Sequence, residues 1–182
     1  MKKIIVSLIG IFTALNMSAQ DTTDTSKADI FERKHEVRLG AIKVLSGGIV
    51  EGAYEYIFDS NQGFGAYVLV KLDDSSDWLE NYSLTPYYRM YFQTNEDYGA
   101  KGFFVEGFTS FFSSDIDLFE FDTEEINTES VFDIAIGLSL GKKWINTAGF
   151  VFEFKLGAGR NLLGEADFDA LIKGDFYIGY RF

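Results

Sequence analysis

The sequence predicts an all-β fold, an eight-stranded antiparallel up-and-down β-barrel that spans a membrane. Residues 172–182 alternate between apolar and polar side chains and end on an aromatic residue. A strand with one apolar and one charged face suits lipid on one side and a polar interior on the other. The same alternation recurs upstream between clusters of Gly, Asn, Asp and Ser, and the amino terminus has the pattern of an export signal.

Residues 1–19 are predicted to be a cleavable signal peptide. Two lysines precede the apolar run Ile4–Leu15, and small residues lead up to Ala19. A membrane-anchoring helix is the alternative, but it needs about 20 apolar residues and this run has 12. Residues 20–34 are predicted to be a flexible periplasmic leader, and residues 35–182 the outer-membrane barrel of a Gram-negative cell.

Composition argues against several classes of protein. The formal net charge is −12, and removing the signal peptide with its two lysines makes it −14. Such acidity argues against nucleic-acid binding, which needs a basic surface. The chain has no cysteine, which excludes disulfides, thiol chemistry and cysteine-based metal sites.

Each predicted strand is an alternating segment between turn-forming residues. Most are close to the length of about 9–11 residues with which a tilted strand crosses a bilayer. Pro86 has no N–H for a ladder hydrogen bond, so we expect a bulge or a local break there. The predicted strands are 35–45, 48–58, 63–72, 82–93, 101–112, 130–141, 148–159 and 170–182.

One face of each strand is predicted to meet lipid and is almost free of charge. Lys43 falls on this face near a strand end, where we expect its stem to let the ammonium reach the interface. Typical lipid-facing residues are Phe64, Val68, Val70, Ile136, Leu138, Leu140, Phe150, Phe152, Phe154, Ile178 and Phe182.

The opposite faces carry seven acidic and six basic residues, which predicts an interior network that neutralises itself. A selective pore more often has a ring of one sign. An eight-stranded barrel is just wide enough for side chains to fill it, so we expect no open channel. The inward charges are Glu36, Arg38, Glu51, Glu55, Lys71, Arg89, Glu106, Asp133, Glu153, Lys155, Lys173, Asp175 and Arg181; the inward aromatic residues are Tyr67, Tyr87, Tyr91, Phe104, Phe108 and Tyr177.

A secreted lipocalin-like carrier is the soluble alternative, and it would reverse the two faces. Alternation alone does not distinguish a lipocalin-like barrel from a membrane barrel. The amount of aromatic and branched side chain favours the membrane barrel, because it would overfill a narrow interior.

The connections predict the orientation of the barrel, since outer loops are longer than periplasmic turns. Ser46–Gly48 is a tight exception on the outer side. Lys142 and Lys143 are predicted to lie in a periplasmic turn beside Trp144, an interfacial anchor. The long outer connections are 73–81, 113–129 and 160–169, and the periplasmic ones are 59–62, 94–100 and 142–147.

The search for chemistry finds no catalytic residue and no cofactor site. His35 is the only histidine, so a histidine metal cluster cannot form. It falls at the periplasmic rim, where we expect an interfacial polar residue. A lipid-modifying barrel enzyme that uses His35 stays as the enzymatic alternative.

The outer connections are acidic. Residues 73–81 hold four acids and residues 113–129 hold seven, and neither segment has a base. Divalent cations such as calcium are a possible ligand, because hard cations bind carboxylate oxygens. A solvated acidic surface is the simpler interpretation.

Several segments resemble a family of uncharacterised small bacterial outer-membrane barrels that carry a signal peptide and a domain of unknown function. They are Thr85–Phe92, Gly102–Gly107, Gly141–Trp144 and Phe176–Phe182. The chain is more distantly similar to OmpX, OmpA and OmpW barrels. The resemblance implies the fold and the outer membrane as location, and it brings no catalytic residues.

We therefore expect a non-enzymatic, porin-like barrel with a structural or surface-interaction role through its acidic outer loops. Its expected partners are outer-membrane lipid and, through the carboxyl-terminal strand 170–182, the barrel-assembly machinery. We expect a monomer. Transport of a small solute or an apolar ligand is the second hypothesis.

Overall fold

The computed structural model describes residues 32–73, 78–93, 99–120, 125–166 and 168–182. The predicted signal peptide and nearly all of the predicted leader lie outside these ranges. Within the described residues, no helix is both long and apolar enough to cross a membrane.

Eight antiparallel strands form a closed barrel in which each strand pairs with the next and β1 pairs with β8. This confirms the predicted fold class. The strands are β1 (His35–Gly40), β2 (Ile49–Asp59), β3 (Gln62–Lys71), β4 (Tyr82–Gln93), β5 (Lys101–Glu120), β6 (Glu125–Ile145), β7 (Phe150–Asn161) and β8 (Ala170–Arg181). The start of β1 and the carboxyl-terminal residue meet at one rim, since the N–H of His35 donates to the C=O of Phe182. We call this rim the base.

The side chains alternate across the wall as the sequence predicts. Phe150, Phe152 and Phe154 are 40–49% exposed on the outside of β7, while Glu153 and Lys155 between them are buried inside. The same polarity holds around the barrel, with large apolar residues outside and charges within. A lipocalin-like carrier needs the reverse arrangement, so that alternative is wrong.

The loop predicted at 113–129 is wrong, because the longest strands, β5 and β6, continue into this segment. The pairing of β4 with β5 ends at Ser113 of β5, and the pairing of β7 with β6 ends at Ala135 of β6. β5 and β6 nevertheless remain paired with each other up to Glu120 and Glu125. Beyond Ser113 the pair continues for seven residues, about 23 Å at the usual rise of a strand. We call residues 114–120 and 125–131 the hairpin.

The shortest strand, β1, ends at Gly40, where the sequence predicted a strand through residue 45. A short helix, α1 (Ala41–Ser46), follows. The carboxylate of Asp175 on β8 accepts hydrogen bonds from the N–H groups of Ile42 and Lys43 and so caps the first turn.

The helix corrects the predicted position of Lys43. This side chain is 2% exposed and donates to Glu51 over 2.8 Å, whereas it was expected to face lipid. Ile42, Val44 and Leu45 are exposed instead. A strand would have put the ammonium on the apolar side, and the helix places it in the polar interior.

Two further expectations concern β6 and β4. β6 continues to Ile145, so Lys142 and Lys143 lie in the strand and not in a turn; Lys142 faces outward and Lys143 is buried. At Pro86 the ladder between β4 and β5 skips two residue pairs without a change of register. The expected local break is therefore present, and it involves no bulge.

Candidate functional site

Charged side chains fill the barrel. Twelve of the thirteen predicted inward charges are buried, while Lys71 is half-buried. Sequence reasoning missed Lys43, Glu80 and Lys143. Among the described residues the buried charges therefore comprise eight acids and seven bases, which preserves the predicted near-neutrality.

Arg38 on β1 lies among three carboxylates. Its Nη1 donates to Glu36 over 2.8 Å and to Glu55 and Glu153 over 2.7 Å each. Its Nη2 donates to the hydroxyl of Tyr87 over 2.6 Å. One guanidinium thereby joins β1, β2, β4 and β7 across the lumen.

Arg89 on β4 makes the densest set of contacts in the described lumen. It donates to Glu106 over 2.6 Å, to Glu153 over 2.7 Å and to Glu55 over 3.1 Å. The ring of Phe104 lies 3.8 Å from its guanidinium carbon, in cation–π contact. A planar, permanently charged fork suits such a site better than a lysine.

Two lysines complete the neutralisation. The Nζ of Lys143 lies 2.7 Å from Glu36 and 2.8 Å from Glu55. The Nζ of Lys155 donates to Glu106 over 3.1 Å and lies 3.4 Å from the centre of the Tyr67 ring. The strands β1 to β7 thus each contribute a side chain to this group, which we call the central network.

Three glutamates of the central network have the spacing of a metal site. One oxygen each from Glu36, Glu55 and Glu153 lies within 4.8 Å of the others. Arg38 and Lys143 already contact these oxygens. The protein's own cations therefore supply the positive charge that such a trio requires.

Arg181 closes the lumen at the base. Its guanidinium donates to Glu36 over 3.0 Å and to the carbonyl oxygens of Gly99 and Ala100 over 2.7 and 2.9 Å. The connection between β4 and β5 is thereby held under the barrel.

Hydrogen bonds, an aromatic stack and ion pairs close the opposite end of the lumen. Asp133 on β6 accepts hydrogen bonds from the N–H groups of Leu163, Glu165 and Ala166 and so holds the β7–β8 connection. Phe168 in that connection stacks on buried Phe112. The further contacts are Lys43 with Glu51, Lys173 with Glu80, and the Trp78 ring over Lys43.

Aromatic side chains occupy the remaining interior. Tyr67, Tyr87 and Phe108 belong to one buried cluster, and Tyr91 and Phe104 to another. All six aromatic residues that the sequence placed inside are buried. The lumen is packed with side chains, as an eight-stranded barrel allows.

His35 lies at the base rim, as expected from the sequence. It is exposed, and its Nδ1 shares a hydrogen bond of 2.7 Å with the hydroxyl of Tyr54. Its ring stacks on Phe182 at a centroid distance of 5.9 Å. These contacts place His35 within an aromatic group at the base rim.

Comparison with known proteins finds a similar solved structure, the N-terminal β-barrel domain of Pseudomonas aeruginosa OprF. The match covers 82% of this chain and 98% of that domain, with a TM-score of 0.52 and 13% sequence identity. The two barrels share a fold. No family model matches the sequence, and no curated protein matches it either. The predicted family of uncharacterised barrels therefore gains no support, and the match to the OprF domain shows the barrel fold alone.

The hairpin is the part of this fold that adds least to the wall. Among the described residues, no strand pairs with β5 beyond Ser113 on its β4 side. At its start the side chain of Asn81 donates to Asp115 over 2.7 Å. The hairpin therefore presents an unpaired strand edge beyond the rim.

Proposed function

We propose that this protein is a non-enzymatic outer-membrane barrel that contacts extracellular polypeptides through its hairpin. The base faces the periplasm and the hairpin faces the exterior. The role is one of surface interaction, and neither catalysis nor conduction is part of it.

The outer wall supports the membrane location. Large apolar side chains are exposed around the barrel, including Phe64, Val68, Leu138 and Phe152 at 40–66%. A water-soluble barrel rarely exposes so continuous an apolar surface, whereas a transmembrane barrel requires one. Closure of the sheet also pairs the wall strands, which a bilayer demands.

The packed lumen argues against transport. Arg89 and Arg38 cross the interior and are held by several carboxylates each. Opening a path would require these ion pairs to separate in a medium where an unpaired charge is costly. The acidic exterior is then the region available for interaction.

The unpaired edge of β5 is the observation that carries the proposal. The C=O of Ser113 points towards the β4 side of β5, because it accepts a hydrogen bond from the N–H of Asn81. The backbone N–H and C=O groups of successive residues in a strand point alternately to its two sides, so those of Asp115, Asp117 and Phe119 also point to the β4 side, which is unpaired here. An extended peptide can pair with such an edge by strand addition.

Charge restricts the partner. Residues 113–129 hold seven acids and no base. The neighbouring connection 73–81 holds four acids and no base, although one of the four, Glu80, is buried against Lys173. A second copy of the chain would meet like charge, whereas a basic extended segment would meet opposite charge. The expectation that divalent cations bind these acids stays a separate prediction.

The test uses the purified barrel in nanodiscs and a fluorescein-labelled peptide of alternating Lys and Val. We expect saturable binding, measured by fluorescence anisotropy, that weakens as salt rises. Phe119→Pro removes an edge N–H and should lower the affinity by about tenfold, because it blocks one ladder bond and distorts its neighbours. Phe119→Ala is the matched control and should bind nearly as the parent does.

A second peptide separates pairing from simple charge attraction. Its backbone nitrogens are methylated, so it keeps the lysines but cannot donate ladder hydrogen bonds. Equal binding of the two peptides, or equal loss in Phe119→Pro and Phe119→Ala, would overturn strand addition. Self-association of the barrel through the hairpin would do the same.

A further inference from the structure

A lysine lies on the outer wall near the base. Lys142 on β6 faces outward beside Phe103 on β5, its partner in the ladder. Its Nζ lies 4.7 Å from the centre of the Phe103 ring and 5.2 Å from that of Trp144. In the part of the chain that the structure describes, no carboxylate pairs with this ammonium.

An apolar groove lies farther up the same two strands. Its volume is about 580 Å³, within the usual range of ligand sites. The pair Gly107–Leu138 lies in it, four residues along each strand from the pair Phe103–Lys142. Four residues of strand span about 13 Å. Lys142 and the groove are therefore aligned along β5 and β6 on the outer surface of the barrel.

The sequence explains why the wall is hollow there. Gly107 faces outward but has no side chain to fill the surface between its neighbours. A Cβ at this position would meet only the Cδ2 of Leu138, at 3.9 Å, so the position has room for a larger residue. Pro86, where the β4–β5 ladder is interrupted, borders the groove on the other side.

We propose that this face binds one phospholipid of the adjacent leaflet. Its anionic phosphate lies at Lys142, between Phe103 and Trp144, and one acyl chain fills the groove at Gly107. The inference rests on the membrane location in the proposed function, and it adds a ligand on a different surface from the hairpin.

Lys142 suits the headgroup of a phospholipid, and the groove suits its acyl chain. An ammonium on an apolar wall needs an anion, and near the base a headgroup phosphate is at the right depth. The aromatic rings stabilise the cation and suit the interfacial layer. The groove offers acyl methylenes an apolar surface, with each buried methylene favourable.

The test counts lipids on the folded barrel. Delipidated protein in detergent is titrated with phosphatidylglycerol, and bound molecules are measured by native mass spectrometry. We expect one tightly held lipid. Lys142→Gln should weaken it about fivefold through the lost charge. Gly107→Leu should weaken it about tenfold by occupying the groove.

Two variants provide matched controls. Lys34→Gln removes a charge from the exposed Lys34 at the same rim. Gly52→Leu makes the same substitution on the outward face of β2, where a Cβ would also have room, with its nearest atom at 4.0 Å. Both should retain the lipid. Equal loss in a control and its test variant would overturn the site.

Further arms identify the ligand and separate this proposal from the previous one. Glycerophosphoglycerol, which has the headgroup without acyl chains, should not compete; if it displaces the lipid, the site binds a free phosphate and the groove has no role. Insertion of each variant into liposomes is measured by protease protection. A parent protein that inserts but retains no lipid overturns the site alone, whereas failure of the parent to insert overturns the membrane location.

Discussion

In the interior of the barrel every described buried glutamate lies against a cation, whereas the hairpin carries acids in a segment that has no basic residue. The interior strands also have a partner on each side, while the hairpin edge of β5 has none among the described residues. Both regions are built from the same kind of strand.

The comparison indicates that the barrel interior determines stability, whereas the hairpin is available for interaction. A buried carboxylate without its cation is costly, so the central network tolerates little change. An exposed acid contributes little to stability, and an unpaired edge adds nothing to the wall. Substitutions should therefore have effects of different size in the two regions.

The largest effect is expected at Arg89. Arg89→Met keeps much of the volume but removes the cation that contacts Glu55, Glu106 and Glu153. The free energy of unfolding, measured by urea titration in liposomes, should fall by about 3–5 kcal/mol. Arg160→Met, at an exposed arginine of β7, is the control and should change it by less than about 0.5 kcal/mol. A similar loss of stability in Arg89→Met and Arg160→Met would contradict the special role of the central network.

An intermediate effect is expected at Asp133, which joins the two regions. Asp133→Asn removes one of the two acceptor oxygens that hold residues 163–166. The local opening free energy of these amides should fall by about 1–3 kcal/mol, as measured by hydrogen exchange. Asp169→Asn changes an exposed acid of the same connection and should leave their exchange unaltered. Faster exchange throughout the barrel would mean that Asp133 supports the whole fold.

The smallest effect is expected from removing the hairpin. Ser114 pairs with Val131, so residues 115–130 can be replaced by Asn-Gly, a favourable two-residue turn. The free energy of unfolding should stay within about 0.5 kcal/mol of the parent, because every strand pair of the wall is kept. Among the described residues, the variant loses only side-chain hydrogen bonds at the rim, those that Asn81 and Ser113 make with Asp115 and Ser130. Binding of the Lys–Val peptide should disappear in the same variant. A large loss of stability would show that the hairpin belongs to the structural core.

The sequence predicts the wall well because burial has a period of two along a strand. Glu153, Lys155 and the phenylalanines of β7 lie on the faces that alternation assigns to them. Lys143 was missed because a turn was assumed, although it continues the inward phase of Ser139 and Gly141 on the same strand.

The ends of β1 and β5 were not predictable from the same signal. Ala41, Lys43 and Leu45 continue the alternation of β1, but the cap from Asp175 lets the chain turn into α1. Beyond Ser113 the hairpin extends past the closed wall, so no barrel interior selects one apolar face, and its acid-rich sequence has the composition of a loop.

Partners within the central network were also beyond sequence reasoning. The near-balance of charge indicated that pairs exist, but Arg38 reaches Glu153 on β7 across the lumen. Such pairs depend on the stagger between strands, which is a property of the closed sheet.

The hairpin has a practical consequence for protein engineering. Its backbone is held by its own two strands beyond Ser113 and by no wall strand of the described chain, so a foreign segment placed between Glu120 and Glu125 would strain no wall contact. The barrel would then serve as an anchor that presents a chosen epitope about 23 Å beyond the rim.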